Sequence, residues 1–157
     1  MHGEPASGVC ETIEQQRALF PKDALHTRVS DDHDELRATT RYGFPGAIAA
    51  SALVETIDGV PLIYNGMEAG DSTQSRAPAL FEPQKIFWQA SEWHPEYPKF
   101  YTSLDALRRQ HAALQQGQLV WLHNSDERNV VSYLRSAGQR RVSNRLQSIE
   151  HALPGNH

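Results

Sequence analysis

The feature that most constrains this chain is an unbroken apolar run, Val60-Pro61-Leu62-Ile63-Tyr64, set directly after a helix-forming stretch that ends at Gly59. A strand with one wet face alternates apolar and polar residues. A run without alternation reads instead as a strand buried on both faces, as in a parallel sheet covered by helices. Pro61 has no N–H to give to a ladder and belongs at or near the strand's start. Upstream, Pro45 suits a first helical turn, and Ala47, Ile48, Ala50, Ala52, Leu53, Val54 and Ile57 predict a helix over 44–57 that is apolar around most of its circumference. Before it, residues 23–29 partly alternate, with Leu25, Thr27 and Val29 on one face, and read as a short strand. Strand, helix and strand with short connections form a βαβ unit.

At 157 residues the chain can build one core, but it falls short of the about 250 residues of a complete eight-stranded α/β barrel. Residues 1–10, rich in Gly, Pro and Ser, are expected to be a flexible lead-in to a short helix over 11–20 that Pro21 ends. Residues 66–96 read as a long polar connection, of a length usually tied to a function such as walling a binding site. Its rings, Phe81, Phe87, Trp88 and Trp93, either anchor the loop or stack on a ligand. Phe100, Leu104, Leu107, His111 and Leu114 recur at helical spacing and predict a helix over 97–114, with His111 a structural histidine on its apolar face. Two strands, 118–123 and 129–135, follow as an antiparallel hairpin across a polar turn. The tail from Ser136 lacks a strand rhythm and is expected to pack poorly.

Several functions find no support. The formal charge of −4 gives no reason to expect nucleic acid or an anionic membrane as a partner. No stretch reaches the roughly 20 apolar residues of a membrane span. A cytoplasmic location is therefore the default, open to revision by an export signal in any missing upstream segment. Cys10 has no second cysteine to pair with and no nearby base, and reads as a plain thiol. The 8 histidines form no HExxH pattern, and neither a phosphate-binding glycine loop nor a G-x-S-x-G elbow occurs. No metal or cofactor is expected.

Asp31, Asp32, Asp34 and Glu35 surround His33. Carboxylates this close repel, so in a partly buried cleft at least one pKa would rise unless cations or N–H donors compensate. The cluster could do acid/base work, hold a hard cation or grip sugar hydroxyls. It could equally be a solvated acidic turn with an Asp as helix cap.

Three segments in order carry a family resemblance. Val29-Ser30-Asp31-Asp32-His33-Asp34-Glu35 resembles the late Asn-His-Asp motif of the alpha-amylase superfamily of glycoside hydrolases (glycoside hydrolase family 13). Residues 59–70, Gly-Val-Pro-Leu-Ile-Tyr-Asn-Gly-Met-Glu-Ala-Gly, resemble that family's eighth-strand segment, and Tyr101 to Leu114 resembles its following helix. The resemblance implies the C-terminal part of a TIM (β/α)8 barrel: its last two strand-helix units over 1–116, then a truncated antiparallel β-domain over 117–157. Asp34 would position substrate and stabilise the transition state without being nucleophile or acid, and His33 would bind the same sugar. Asp32 and Glu68 would support them. The implied partner is an alpha-glucan or alpha-glucoside in an intact enzyme.

Two departures stand against a working hydrolase. Asp32 occupies the place of the family's Asn, so an amide that can donate becomes a carboxylate that cannot. Gln139 to Arg145 is polar where the family has an apolar strand, which suggests a lost strand or scrambled end. Moreover, a retaining glycosidase needs two carboxyl groups about 5–5.5 Å apart, and the resembling motifs that supply them are absent. The expectation is an alpha-amylase-like hydrolase or transglycosylase fragment, inactive alone and prone to self-association. The alternative is a noncatalytic remnant or a carbohydrate-binding or interaction module.

Overall fold

The computed structural model describes residues 5–73, 81–138 and 140–147. Helix α1 (Ser7–Leu19) leads to strand β1 (Thr27–Arg28), helix α2 (Ala38–Thr56) and strand β2 (Val60–Pro61). A 3-10 turn (Met67–Ala69) and helices α3 (Ala90–Trp93), α4 (Glu96–Gln110) and α5 (Ala112–Gln116) follow. Strands β3 (Gln118–Trp121), β4 (Val130–Ala137) and β5 (Arg140–Gln147) complete the described elements. The result is a small α/β unit with two separate sheets.

The βαβ unit forms, but β2 is not buried on both faces as the unalternating run predicts, since Val60 is 49 % exposed. β1 and β2 are parallel, with Thr27 opposite Val60 and Arg28 opposite Pro61. The Val60 N–H donates to the His26 carbonyl and the Leu62 N–H to that of Arg28, each at 2.9 Å. Pro61 lies between these two donors and gives up no ladder bond. Both strands are shorter than the expected 23–29 and 60–64, and Leu62 and Ile63 are exposed. Gly59 makes the entry possible with φ 106°, and a Cβ there would strike the His26 carbonyl oxygen. Gly59→Ala is therefore expected to cost more than about 1 kcal/mol, read from the urea midpoint with an unchanged m-value.

Other boundaries differ for local reasons. α1 starts at Ser7, so part of the expected lead-in is helical; Ala6 is buried and its N–H donates to the Arg128 carbonyl. α2 begins at Ala38 rather than Phe44, because a first turn precedes a kink at Gly43 (φ 70°, ψ 172°) and Pro45 opens the straight remainder. The expected 97–114 helix is two helices, divided where His111 turns extended. Within the long connection, the 3-10 turn and α3 supply local order.

The expected lost strand is present. β5 pairs antiparallel with all of β4, from Val130 opposite Gln147 to Ala137 opposite Arg140. Polarity misled because ladder bonds are made by the backbone, and Gly138, at φ 60°, permits the tight reversal. β4 is also paired with β3, so it is the sheet's centre. The tail expectation for residues 148–157 falls outside the described residues.

Two cores hold the layers. Ala6 just before α1, Ile13 within it, Ile57 after α2, and Val131 and Tyr133 of β4 form one, joined by Leu53, Leu119 and Trp121. Ala38, Ala47, Met67, Tyr97 and Tyr101 form the other, joined by Tyr42, Phe44 and Ile48. The second core lies under the loops that follow β1 and β2.

Candidate functional site

The parallel pair sends two loops out of the same end, 29–37 after β1 and 62–73 after β2. The first carries Asp32, His33 and Asp34; the second carries Glu68. Asp32 Oδ1 accepts the N–H groups of Asp34 (2.8 Å) and Glu35 (3.0 Å), closing a turn on itself. An acceptor oxygen is all this turn uses, so a carboxylate serves it as well as an amide would. The tip presents His33 and Asp34 to solvent, with His33 Nε2 and Asp34 Oδ2 3.5 Å apart. Glu68 is half-buried, and its Oε2 accepts the Gly66 N–H at 3.0 Å.

Beneath the tip lies a buried ionic network that the sequence reading did not separate from the surface cluster. Asp31, Arg37 and Asp71 are each no more than 5 % exposed. Arg37 Nη1 reaches Asp31 Oδ2 at 3.5 Å and the Asn65 carbonyl at 2.9 Å, while Nη2 reaches Asp71 Oδ2 at 3.3 Å. The guanidinium carbon stands 4.6 Å from the centre of the Tyr64 ring. Asp31 Oδ1 accepts the Ala38 N–H at the start of α2, and the Asp71 carboxylate accepts the N–H and hydroxyl of Thr73. The Asp71 carbonyl takes the Thr39 hydroxyl at 2.9 Å. One arginine thus fastens the loop bearing His33 and Asp34 to the loop bearing Glu68. Burial pushes the Asp31 carboxyl above its ordinary value, against the lowering pull of the Ala38 N–H and Arg37.

The five acidic-tip positions therefore divide by depth. Asp31 is structural and buried, Asp32 caps the turn, and His33, Asp34 and Glu35 face solvent. No pattern in the sequence distinguishes Arg37 or Asp71; only the folding of two distant loops brings them together. Among the described residues no group of three His, Cys, Asp or Glu side chains could hold a metal ion. Cys10, in α1, is half-buried against the first core, and burial raises its thiol pKa.

The ring-bearing connection is partly anchored. Phe87 meets Trp93 edge-on at 5.2 Å, and His94 stacks on Phe44 at 3.6 Å, fixing α3 to the second core. Trp88 and Trp93 remain exposed. Among the described residues, no helix is long and apolar enough to cross a membrane.

A parallel βαβ unit with both loops at one end, followed by helices and an antiparallel sheet, defines a piece of an α/β fold. No protein-family model matches the chain. Alpha-amylase MalA of Haloarcula japonica is 35 % identical over 69 residues, 43 % of this chain and 10 % of that protein. The solved cyclic alpha-maltosyl-(1→6)-maltose hydrolase of Arthrobacter globiformis superposes with a TM-score of 0.76 at 20 % identity, covering 92 % of this chain and 33 % of the other. The maltogenic alpha-amylase AmyB of Thermotoga neapolitana gives a TM-score of 0.70 at 20 % identity, with the same coverages, 92 % and 33 %. The chain is thus similar to part of an alpha-amylase in sequence and to part of these solved enzymes in fold. It spans about a third of the solved structures' length and about a tenth of MalA's.

Proposed function

We propose that this chain is the substrate-positioning part of an alpha-amylase-like glycoside hydrolase or transglycosylase acting on alpha-glucosidic bonds. The observation that carries the reading is the placement of two loops at one end of a parallel strand pair, within a piece that superposes on such enzymes over 92 % of its length. In this reading β1 and β2 are the last two barrel strands. The division falls at 116/117, and β3 to β5 open the β-domain.

Asp34 accepts hydrogen bonds from sugar hydroxyls, and His33 donates to the same ring. Such contacts lower a barrier when they strengthen as the ring distorts toward the transition state. Glu68 holds its loop through the Gly66 N–H, and Asp32 fixes the Asp34 backbone. No cofactor takes part. The nucleophile and general acid come from elsewhere, so the chain alone does not turn over.

Hydrolysis of a chromogenic alpha-glucoside by purified chain of verified mass is expected to equal the buffer blank. Robust turnover that co-purifies with the chain overturns the reading. A second readout concerns binding: titration with maltoheptaose should shift the His33 Cε1–H resonance in the wild-type chain. Asp34→Ala should weaken that binding at least about tenfold, as the loss of a charge-assisted hydrogen bond of about 1.5–3 kcal/mol requires.

A further inference from the structure

Residues 32–36 form an arch whose two ends meet at a buried neck. Asp31, just before the arch, accepts the Ala38 N–H with Oδ1 and faces Arg37 Nη1 with Oδ2 at 3.5 Å, so one carboxylate closes the arch from beneath. Inside it, Asp32 Oδ1 holds the N–H groups of Asp34 and Glu35. These bonds shape the arch, but they do not set where it stands relative to the loop that carries Glu68. That placement passes through Arg37. Its Nη1 also donates to the Asn65 carbonyl at 2.9 Å, next to Gly66, whose N–H Glu68 accepts. Its Nη2 faces Asp71 Oδ2 at 3.3 Å, farther along the same loop. A planar guanidinium that touches the second loop at two points fixes distance and orientation together.

We propose that Arg37 is the positioning residue of the candidate site, mounting the His33 and Asp34 tip on the Glu68 loop so that a bound sugar meets a tip of fixed geometry. The proposal rests on the glucan-positioning reading above. Geometry of this kind is decisive for a polar grip, because a misplacement of about 1 Å can cost on the order of 100-fold. Arg37 and Asp71 are both buried, so neither touches a ligand and each acts only through the tip.

Two rival ties are less able to place the tip. Arg41 Nη1 stands 3.9 Å from Glu35 Oε2, but both side chains are more than half exposed, and such pairs contribute little. The hydroxyls of Thr39 and Thr40 donate to the carbonyls of Asp71 and Ser72. They join the second loop to α2 without engaging the arch.

The test uses the full chain and two substitutions in the clasp. Asp71→Asn keeps an acceptor for the Thr73 N–H but can turn an amide donor toward Arg37 Nη2, and Arg37→Lys keeps the charge while replacing the fork by a single ammonium. Backbone amide relaxation should give Asp34 and Glu35 order parameters of about 0.85 in the wild-type chain and below about 0.6 in both variants. Leu104 of α4 should stay near about 0.85 throughout. Thr39→Val, which cuts the tie through α2 alone, should leave the Asp34 and Glu35 values unchanged. Maltoheptaose affinity, followed at the His33 Cε1–H resonance, should fall at least about tenfold in the two clasp variants but not in Thr39→Val. Wild-type order parameters at Asp34 and Glu35 in either clasp variant overturn the proposal. So does an equal fall at Leu104, because Arg37 then serves general stability only, and so does unchanged affinity with a loosened tip. If the clasp variants loosen the tip but wild-type His33 ignores maltoheptaose, the mount is retained and the glucan reading is rejected.

Discussion

Arg37→Met is expected to destabilise the chain by about 3–5 kcal/mol, the cost of removing one partner from a buried charge network. The substitution preserves length and apolar stem while leaving Asp31 and Asp71 buried without their shared cation. It also strips the Asn65 carbonyl of its 2.9 Å donor. Replacing all three groups by apolar residues of similar volume should cost much less, because no charge is then stranded.

Acidity supplies an independent check on the cause. The Asp31 pKa is raised in the folded state, first by burial. A raised carboxyl binds more protons folded than unfolded, so its contribution to stability is greatest below the unfolded value of 3.8 and falls as pH rises through the folded value. Removing Arg37 takes away one of the interactions lowering that pKa. The window should widen upward, and the deficit of Arg37→Met should be smaller near about pH 4 than near about pH 7. Urea unfolding at both acidities measures it. A deficit that does not depend on pH would assign the loss to packing against Tyr64 instead.

Legibility in the sequence followed the kind of interaction at stake. The βαβ unit was readable because its signal is local: an unalternating run at 60–64, an apolar helix, and Gly59 between them. The helix boundaries were not, since a residue such as Gly43 or His111 changes direction through backbone angles that apolar spacing does not encode. β5 was missed because its residues are polar, whereas its place follows from ladder bonds to β4. The acidic tip was visible as composition, but not its layering. Asp31 and Asp34 are 3 residues apart, yet one is buried and the other exposed, and the difference depends on Arg37 and on Asp71 in another loop. Coupling between loops is nonlocal and leaves no spacing to read.

The second large effect is expected at Arg135. It lies in β4, is 1 % exposed, and donates to the carbonyls of Thr56 (3.3 Å), Leu114 (3.4 Å) and Gly117 (2.9 Å). These carbonyls belong to the end of α2, to α5 and to the residue before β3, so one side chain ties the antiparallel sheet to both helical layers. Gly117 admits no larger residue at this seam, since a Cβ would meet the Ser136 carbonyl oxygen at 2.8 Å. Arg135→Met removes the donors and leaves buried acceptors unpaired, each costing about 1–3 kcal/mol. A loss of about 3 kcal/mol or more is expected. Its distribution matters as much as its size: exchange at β3 and β4 amides should accelerate more than at α2 and α4, because the sheet loses its main polar tie while the second core, around Tyr97 and Met67, is untouched. Equal acceleration throughout would show that the sheet and the βαβ unit unfold as one cooperative body, and that Tyr133, packed with Ile57 and Ile13, suffices to join them without the arginine.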